Sequence, residues 1–198
     1  MSLTTFSALL VFSFVSSITP GPNNIMLFTS GVNFGLRRTL PHMLGISVGF
    51  GVLLAAVGLG LGVILEQLPI VFTAIKVLGA LYMLYLAWRI FNSGPVEVSD
   101  GTARPMTFMQ AALFQWVNPK AWVMAAVAMS VYTTEGNYTV NVLIIIFSFC
   151  IVNFPSVSAW AGFGTAMRRF LQDPKKLRIF NALMALALVL SLWPMLSD

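Results

Sequence analysis

Apolar residues fall into six long runs separated by short polar links, at residues 3–28, 40–65, 70–91, 106–132, 139–167 and 179–195. Each run approaches or exceeds the roughly 20 residues that a helix needs to cross the hydrocarbon of a bilayer. The pattern predicts an all-α integral membrane protein with six transmembrane helices in a single domain over residues 1–198. The polar link at 92–105 divides the chain into two halves of three runs, 1–91 and 106–198.

Two runs are interrupted. In the first, Thr19-Pro20-Gly21-Pro22-Asn23-Asn24 places two prolines around a glycine. Neither proline has an N–H, and their rings crowd the carbonyls of Ser16 and Ile18, so a regular helix cannot continue. The fourth run is interrupted by Asn118-Pro119-Lys120. Inside a bilayer, backbone groups freed by such breaks need a polar neighbour or a water-filled cavity. A proline kink that only shapes the bundle would leave the adjoining asparagines unused. A broken helix at a transport site would use them.

Glycine spacing adds packing. Gly45 with Gly49, and Gly58 with Gly62, repeat the small-xxx-small pattern that lets helix backbones approach closely in lipid. Composition agrees with the pattern: 58% of residues are hydrophobic, 9% are charged, and mean hydropathy is +0.88. Soluble domains carry about 25% charged residues.

The net charge of +5 has a topological reading. Arg37 and Arg38 lie between runs one and two. Arg89 and Arg104 flank the link between three and four. Arg168, Arg169, Lys175, Lys176 and Arg178 lie between five and six. The other two links carry Glu66 and Glu135 and no Lys or Arg. The positive-inside rule makes the basic side cytoplasmic, with the 92–105 linker, and puts both termini in the periplasm. Nucleic acid is not a predicted partner, because the basic residues alternate with apolar runs rather than forming a patch.

The chain has one cysteine, Cys150, and one histidine, His42. No cysteine or histidine cluster exists to bind metal or to act in nucleophilic catalysis, and no cofactor or phosphate-binding loop is expected. His42 reads as an interfacial residue near a helix start. Lys76 is close enough to the outer end of its run to snorkel. Lys120 is not. It lies about 17–20 Å from either end of its run at ~1.5 Å per residue. A charge at that depth faces a cavity or a partner.

An odd number of spans per half inverts the second half relative to the first. Each half also opens on a span broken by proline beside asparagine. Two inverted three-helix repeats with broken helices one and four are a recurring transporter layout. Together, the 19–24 motif, Asn118-Pro119-Lys120 and a six-span chain of this length resemble the LysE/RhtB family of bacterial amino-acid exporters. The resemblance covers essentially the whole chain. It implies a secondary transporter in the bacterial inner membrane that moves an amino acid outward. No Asp or Glu lies at mid-span depth. This argues against a lysine or arginine cargo, favours a neutral amino acid or derivative, and leaves no obvious proton relay.

The expected substrate site lies between spans one and four. Pro20, Gly21, Pro22, Asn23 and Asn24 would contribute from the first break, and Gln115, Asn118, Pro119 and Lys120 from the second. A substrate carboxylate would meet the half-helix N–H groups near Asn23 and Asn24, together with Lys120. Its ammonium would meet the freed carbonyls of Ser16, Ile18 and Gln115 and the Asn118 side chain. Asn153 and Trp160 would line the path from the fifth span, or else serve only packing and anchoring. Alternating access would rock one half against the other. Besides the amino acid, membrane lipid is the expected partner, and a homo-oligomer is left open. The alternatives are a permease for another small solute and a non-transporting structural subunit.

Overall fold

The computed structural model describes residues 1–66, 68–93 and 104–192, and the regular elements among them are all helical. α1 (Leu3–Ile18) opens on Ser2, whose hydroxyl accepts from the Thr5 amide at 3.1 Å. After the Thr19–Gly21 interruption, α2 (Pro22–Phe34) leaves at 54° to α1. Pro22 starts α2, where a missing N–H leaves no bond unmade. Gly35, at φ +80°, is the whole connection to α3 (Leu36–Gly58). Only glycine adopts that conformation without strain. The link between the first two runs, where Arg37 and Arg38 were expected, is therefore one residue long. Asn33 ends up inside α2, and Arg37 and Arg38 stand exposed on the first turn of α3.

The second apolar run is not one helix. α3 stops at Gly58, and a short α4 (Leu61–Glu66) follows Gly60 at φ +96°. Gly58 and Gly62 consequently do not share a helix face. Gly45 and Gly49 do, and both lie against the backbone of residues Phe108 and Ala112. α5 (Pro69–Phe91) completes the first half. The fourth run is broken as expected: α6 (Phe108–Phe114), a 3-10 turn at Gln115–Val117, then α7 (Pro119–Tyr132). Thr107 and Gln110 form a reciprocal cap on α6. α8 (Tyr138–Met167) runs past Pro155 for 30 residues. α9 (Pro174–Leu190) begins earlier than its apolar run because Asp173 caps it, accepting from the Lys175 amide at 2.8 Å. Lys175, Lys176 and Arg178 thus belong to a helix rather than a loop. Most of the expected 92–105 linker, with Glu97 and Asp100, lies outside the described residues, as does Asp198.

Burial runs opposite to that of a soluble domain. Leu59, Ile70, Leu3, Phe170 and Ile151 are among many large apolar side chains turned outward, while Ser13, Asn24, Asn33, His42, Gln115 and Asn181 are fully or almost fully buried. An apolar exterior around a polar-studded interior suits lipid as the surrounding solvent. Among the described residues, α3 and α8 are each long and apolar enough to cross a membrane. α1 and α2 together supply a third, bent crossing.

The two halves interleave. α2 packs chiefly against α8, α3 against α6 and α8, and α1 against α8. At the α2–α8 crossing, a Cβ added to Gly31 would fall on the carbonyl oxygen of Ala161, and one on Gly164 would fall on that of Phe28. Backbone contact this close ties the halves together along the α2–α8 crossing. α5 and α9 pack mainly on each other, beside this core. The basic segments gather at one end. Arg168 lies beside Gly35, Asn181 donates to the Ser93 carbonyl at 2.7 Å, and Arg89 and Arg104 border a single cavity.

Candidate substrate site

The two breaks meet. Asn23 and Gln115 exchange side-chain hydrogen bonds across the halves, at 2.8 Å from Asn23 Nδ2 to Gln115 Oε1 and 3.2 Å from Gln115 Nε2 to Asn23 Oδ1. Gln115 Nε2 also donates to the Ala111 carbonyl at 2.9 Å. Asn24 turns back onto the end of α1, donating to the carbonyls of Ser17 at 2.9 Å and Thr19 at 2.7 Å. Trp160 Nε1 donates to the Ile18 carbonyl at 3.0 Å. The proline-freed carbonyls are therefore largely satisfied within the protein. This corrects the expectation that a substrate ammonium would find them waiting: Ile18 is taken by Trp160, Ser16 by the Thr19 hydroxyl at 3.1 Å, and Gln115 by the Asn118 amide at 3.4 Å.

Lys120 crosses between the breaks. Its Nζ donates to the Thr19 carbonyl at 2.7 Å, the Thr19 hydroxyl at 2.9 Å and the Pro20 carbonyl at 3.3 Å. An ammonium has three N–H groups, so all are engaged. The charge sits at the carbonyl end of α1, where a helix dipole is negative. It also stands beside the starts of α2 and α7, neither of which has a side-chain cap. Two uncapped helix starts and a lysine make a strongly anion-attracting point.

A cavity of about 30 Å³ opens between the breaks. On a measure in which one water needs ~10–15 Å³, this is room for about two waters and not for an amino acid. Seven of the residues anticipated from the sequence line it: Gly21, Asn23 and Asn24 on one side, Gln115, Asn118 and Lys120 on the other, and Asn153 from α8. Pro20, Pro22 and Pro119 do not. They shape the breaks. Trp160 stands behind the wall and holds the end of α1. The sequence reading missed Ser17, Phe50, Ala121, Met124 and Val157, which with Ser16 complete the lining. Phe50 and Met124 carried no signal beyond apolar periodicity. Ser17 is the next-to-last residue of α1, beside the break, and that position was available. Two buried oxygens on the cavity wall have no partner among the described residues, Asn118 Oδ1 and Ser17 Oγ. A buried polar atom left unpaired costs about 1–3 kcal/mol, so both await a ligand donor or water.

Gly21 makes a local test possible. Its φ of −179° is extended and suits any residue, but a Cβ there would lie 2.8 Å from Lys120 Cδ and 3.2 Å from Nζ. Gly21→Ala should therefore leave folding nearly unchanged and push Lys120 off Thr19. The expected outcome is several-fold slower transport per inserted molecule. Wild-type transport in Gly21→Ala would show that the Lys120 position is not critical.

Outward apolar faces, buried polar groups and a polar cavity between two broken helices describe a multi-pass membrane carrier. The family model for the LysE type translocator matches residues 14–191, and the chain belongs to that family. It is thus a transporter and not an enzyme. The chain is 35% identical over 133 residues to a cysteine/O-acetylserine efflux protein of Klebsiella pneumoniae, covering 67% of each chain. It is 30% identical over 190 residues to the cysteine/O-acetylserine efflux proteins of Escherichia coli K12 and Shigella sonnei, covering 93% of this chain and 95% of those proteins. No solved structure matches the chain.

Proposed function

We propose that this protein exports a small neutral amino acid or its O-acyl derivative, with cysteine and O-acetylserine as first candidates, across the bacterial inner membrane. The observation that carries the reading is the pairing at the breaks of one cation, Lys120, with one unpartnered acceptor, Asn118 Oδ1, on the same cavity wall. A zwitterion presents the matching carboxylate and ammonium. The side chain would face Phe50 and Met124, with no carboxylate in the lining to attract a cationic cargo. The names of the similar efflux proteins point to the same substrate class. Cells expressing the protein should release labelled cysteine or O-acetylserine faster than control cells. Equal release of both compounds from the two would refute the assignment.

The membrane arrangement that goes with this reading is six crossings in two inverted units, α1/α2, α3 and α4/α5, then α6/α7, α8 and α9. Gathering of the basic segments at one end supports a cytoplasmic placement for that end and periplasmic termini. In a Cys150→Ala background, single cysteines replacing Arg37 or Lys175 should resist an impermeant thiol reagent on intact cells, and one replacing Glu135 should react. The reverse pattern would invert the topology.

The central cavity must widen to accept cargo. Because the halves interleave, the movement we favour separates the Lys120–Thr19 latch and shifts the peripheral α5–α9 pair, leaving the glycine-packed α2–α8 seam intact.

A further inference from the structure

A second cavity, of about 350 Å³, lies at the basic end between α2, the start of α3, the end of α5 and residues 104–106. It falls in the ~300–1,000 Å³ range of small-molecule sites, whereas the central cavity does not. Three buried polar atoms belonging to its walls have no partner among the described residues: both ring nitrogens of His42 and Asn33 Oδ1. His42 is 1% exposed and Asn33 4%. His42 was expected at the interface, but α3 begins at Leu36, which carries it into the second turn and under cover. The Asn33 amide nitrogen is committed to the Thr29 carbonyl at 2.9 Å and to Asn181 Oδ1 at 3.3 Å, which leaves its oxygen as a fixed, empty acceptor. Arg89 and Arg104 also line the cavity.

We propose that this cavity is an entry site that holds the zwitterionic cargo before it reaches the central site. Arg89 and Arg104 take the carboxylate. Asn33 Oδ1 and an unprotonated ring nitrogen of His42 take the ammonium. A lone anion, such as a lipid phosphate, would leave the Asn33 oxygen unpaired, so the polar inventory selects a ligand with a donor end as well as an anionic one. The route onward is along α2. Asn23, Met26, Ser30 and Asn33 share one face at helical spacing, with Asn23 on the central cavity and the other three on this one. Asn33 is about 14 Å from Asn24 at ~1.5 Å per residue. Met26, 4% exposed, lies between Asn23 and Ser30 on that face and lines the second cavity.

This inference rests on amino-acid transport being the function, and its test separates the two. Equilibrium binding of labelled O-acetylserine is measured with the full-length protein in nanodiscs, either of phosphatidylcholine alone or with phosphatidylglycerol. Two molecules per chain are expected. Lys120→Met should leave only the entry site. Asn33→Leu should leave only the central one. Should Asn33→Leu fail to fold, the double change Arg89→Met and Arg104→Met, at the cavity mouth, should weaken the entry site at least tenfold while the central one persists. A stoichiometry of one, abolished by Lys120→Met and indifferent to the entry-site changes, overturns the entry site and keeps the transport reading. Loss of the second molecule only when phosphatidylglycerol is present assigns the cavity to a lipid headgroup and also overturns it. No binding of labelled O-acetylserine in either lipid, nor of labelled cysteine measured in the same way, overturns both.

Discussion

Lys120→Met is expected to lower export about ten- to a hundred-fold at limiting substrate while the protein still inserts. The stem of methionine keeps the length and apolar contacts of lysine, so packing beside Gly21 survives. What disappears is a charge-assisted contact, worth about 1.5–3 kcal/mol for hydrogen bonds to charged groups, equivalent to that range of affinity. A second reading of the same geometry has Lys120 serving only α1, as a clasp on Thr19 and Pro20. Thr19→Val separates the readings. It removes one of the three acceptors and leaves the charge in place. If Lys120 is only a clasp, Thr19→Val should reproduce part of the Lys120→Met defect. If Lys120 meets the carboxylate, Thr19→Val should transport nearly normally. Lys120→Arg should rescue in part, because a planar fork does not reproduce a compact ammonium. Efflux from preloaded vesicles, normalised to inserted protein, is the measurement. Unchanged concentration dependence in Lys120→Met would return the residue to a structural role.

The second large effect is on stability, at two glycines of α8 that lie two positions apart. Gly164→Ala drives a methyl into the Phe28 carbonyl and toward the Val32 amide, and neither backbone group can swing aside as a side chain would. Overpacking of this kind costs about 1–3 kcal/mol. It should appear as a lower melting temperature in detergent and less folded protein. Gly162→Ala has nothing within 4 Å of the new methyl. It gains helix propensity, about 0.8–1.0 kcal/mol, and should be neutral or stabilising. Equal behaviour of the two variants would contradict the α2–α8 crossing described above.

What the sequence made readable follows from how local each signal was. The breaks at 19–22 and 118–119 were visible because proline acts on its own backbone, and the proline–asparagine pairs marked where polar groups would gather. The Gly45/Gly49 face was readable for a similar reason. The partners of the freed carbonyls were not, since Trp160 meets Ile18 only through the tertiary fold. Nor was the fate of His42. Its burial depends on α3 starting at Leu36, and that start depends on the left-handed conformation of Gly35, which residue type alone does not specify. The interleaving of the halves was equally hidden. An inverted repeat read along the chain suggests two blocks, while α2 finds its closest neighbour in α8, on the far side of the divide.

The central claim is that the meeting of the two broken helices carries a small neutral amino acid. Counterflow tests it most directly. Purified protein is reconstituted into liposomes loaded with unlabelled O-acetylserine, and uptake of labelled O-acetylserine from outside is followed. The account predicts saturable uptake above that of protein-free liposomes, competed by cysteine, not competed by lysine, and strongly reduced by Lys120→Met. Uptake no greater than in protein-free liposomes, or uptake that lysine displaces as well as cysteine does, would contradict it.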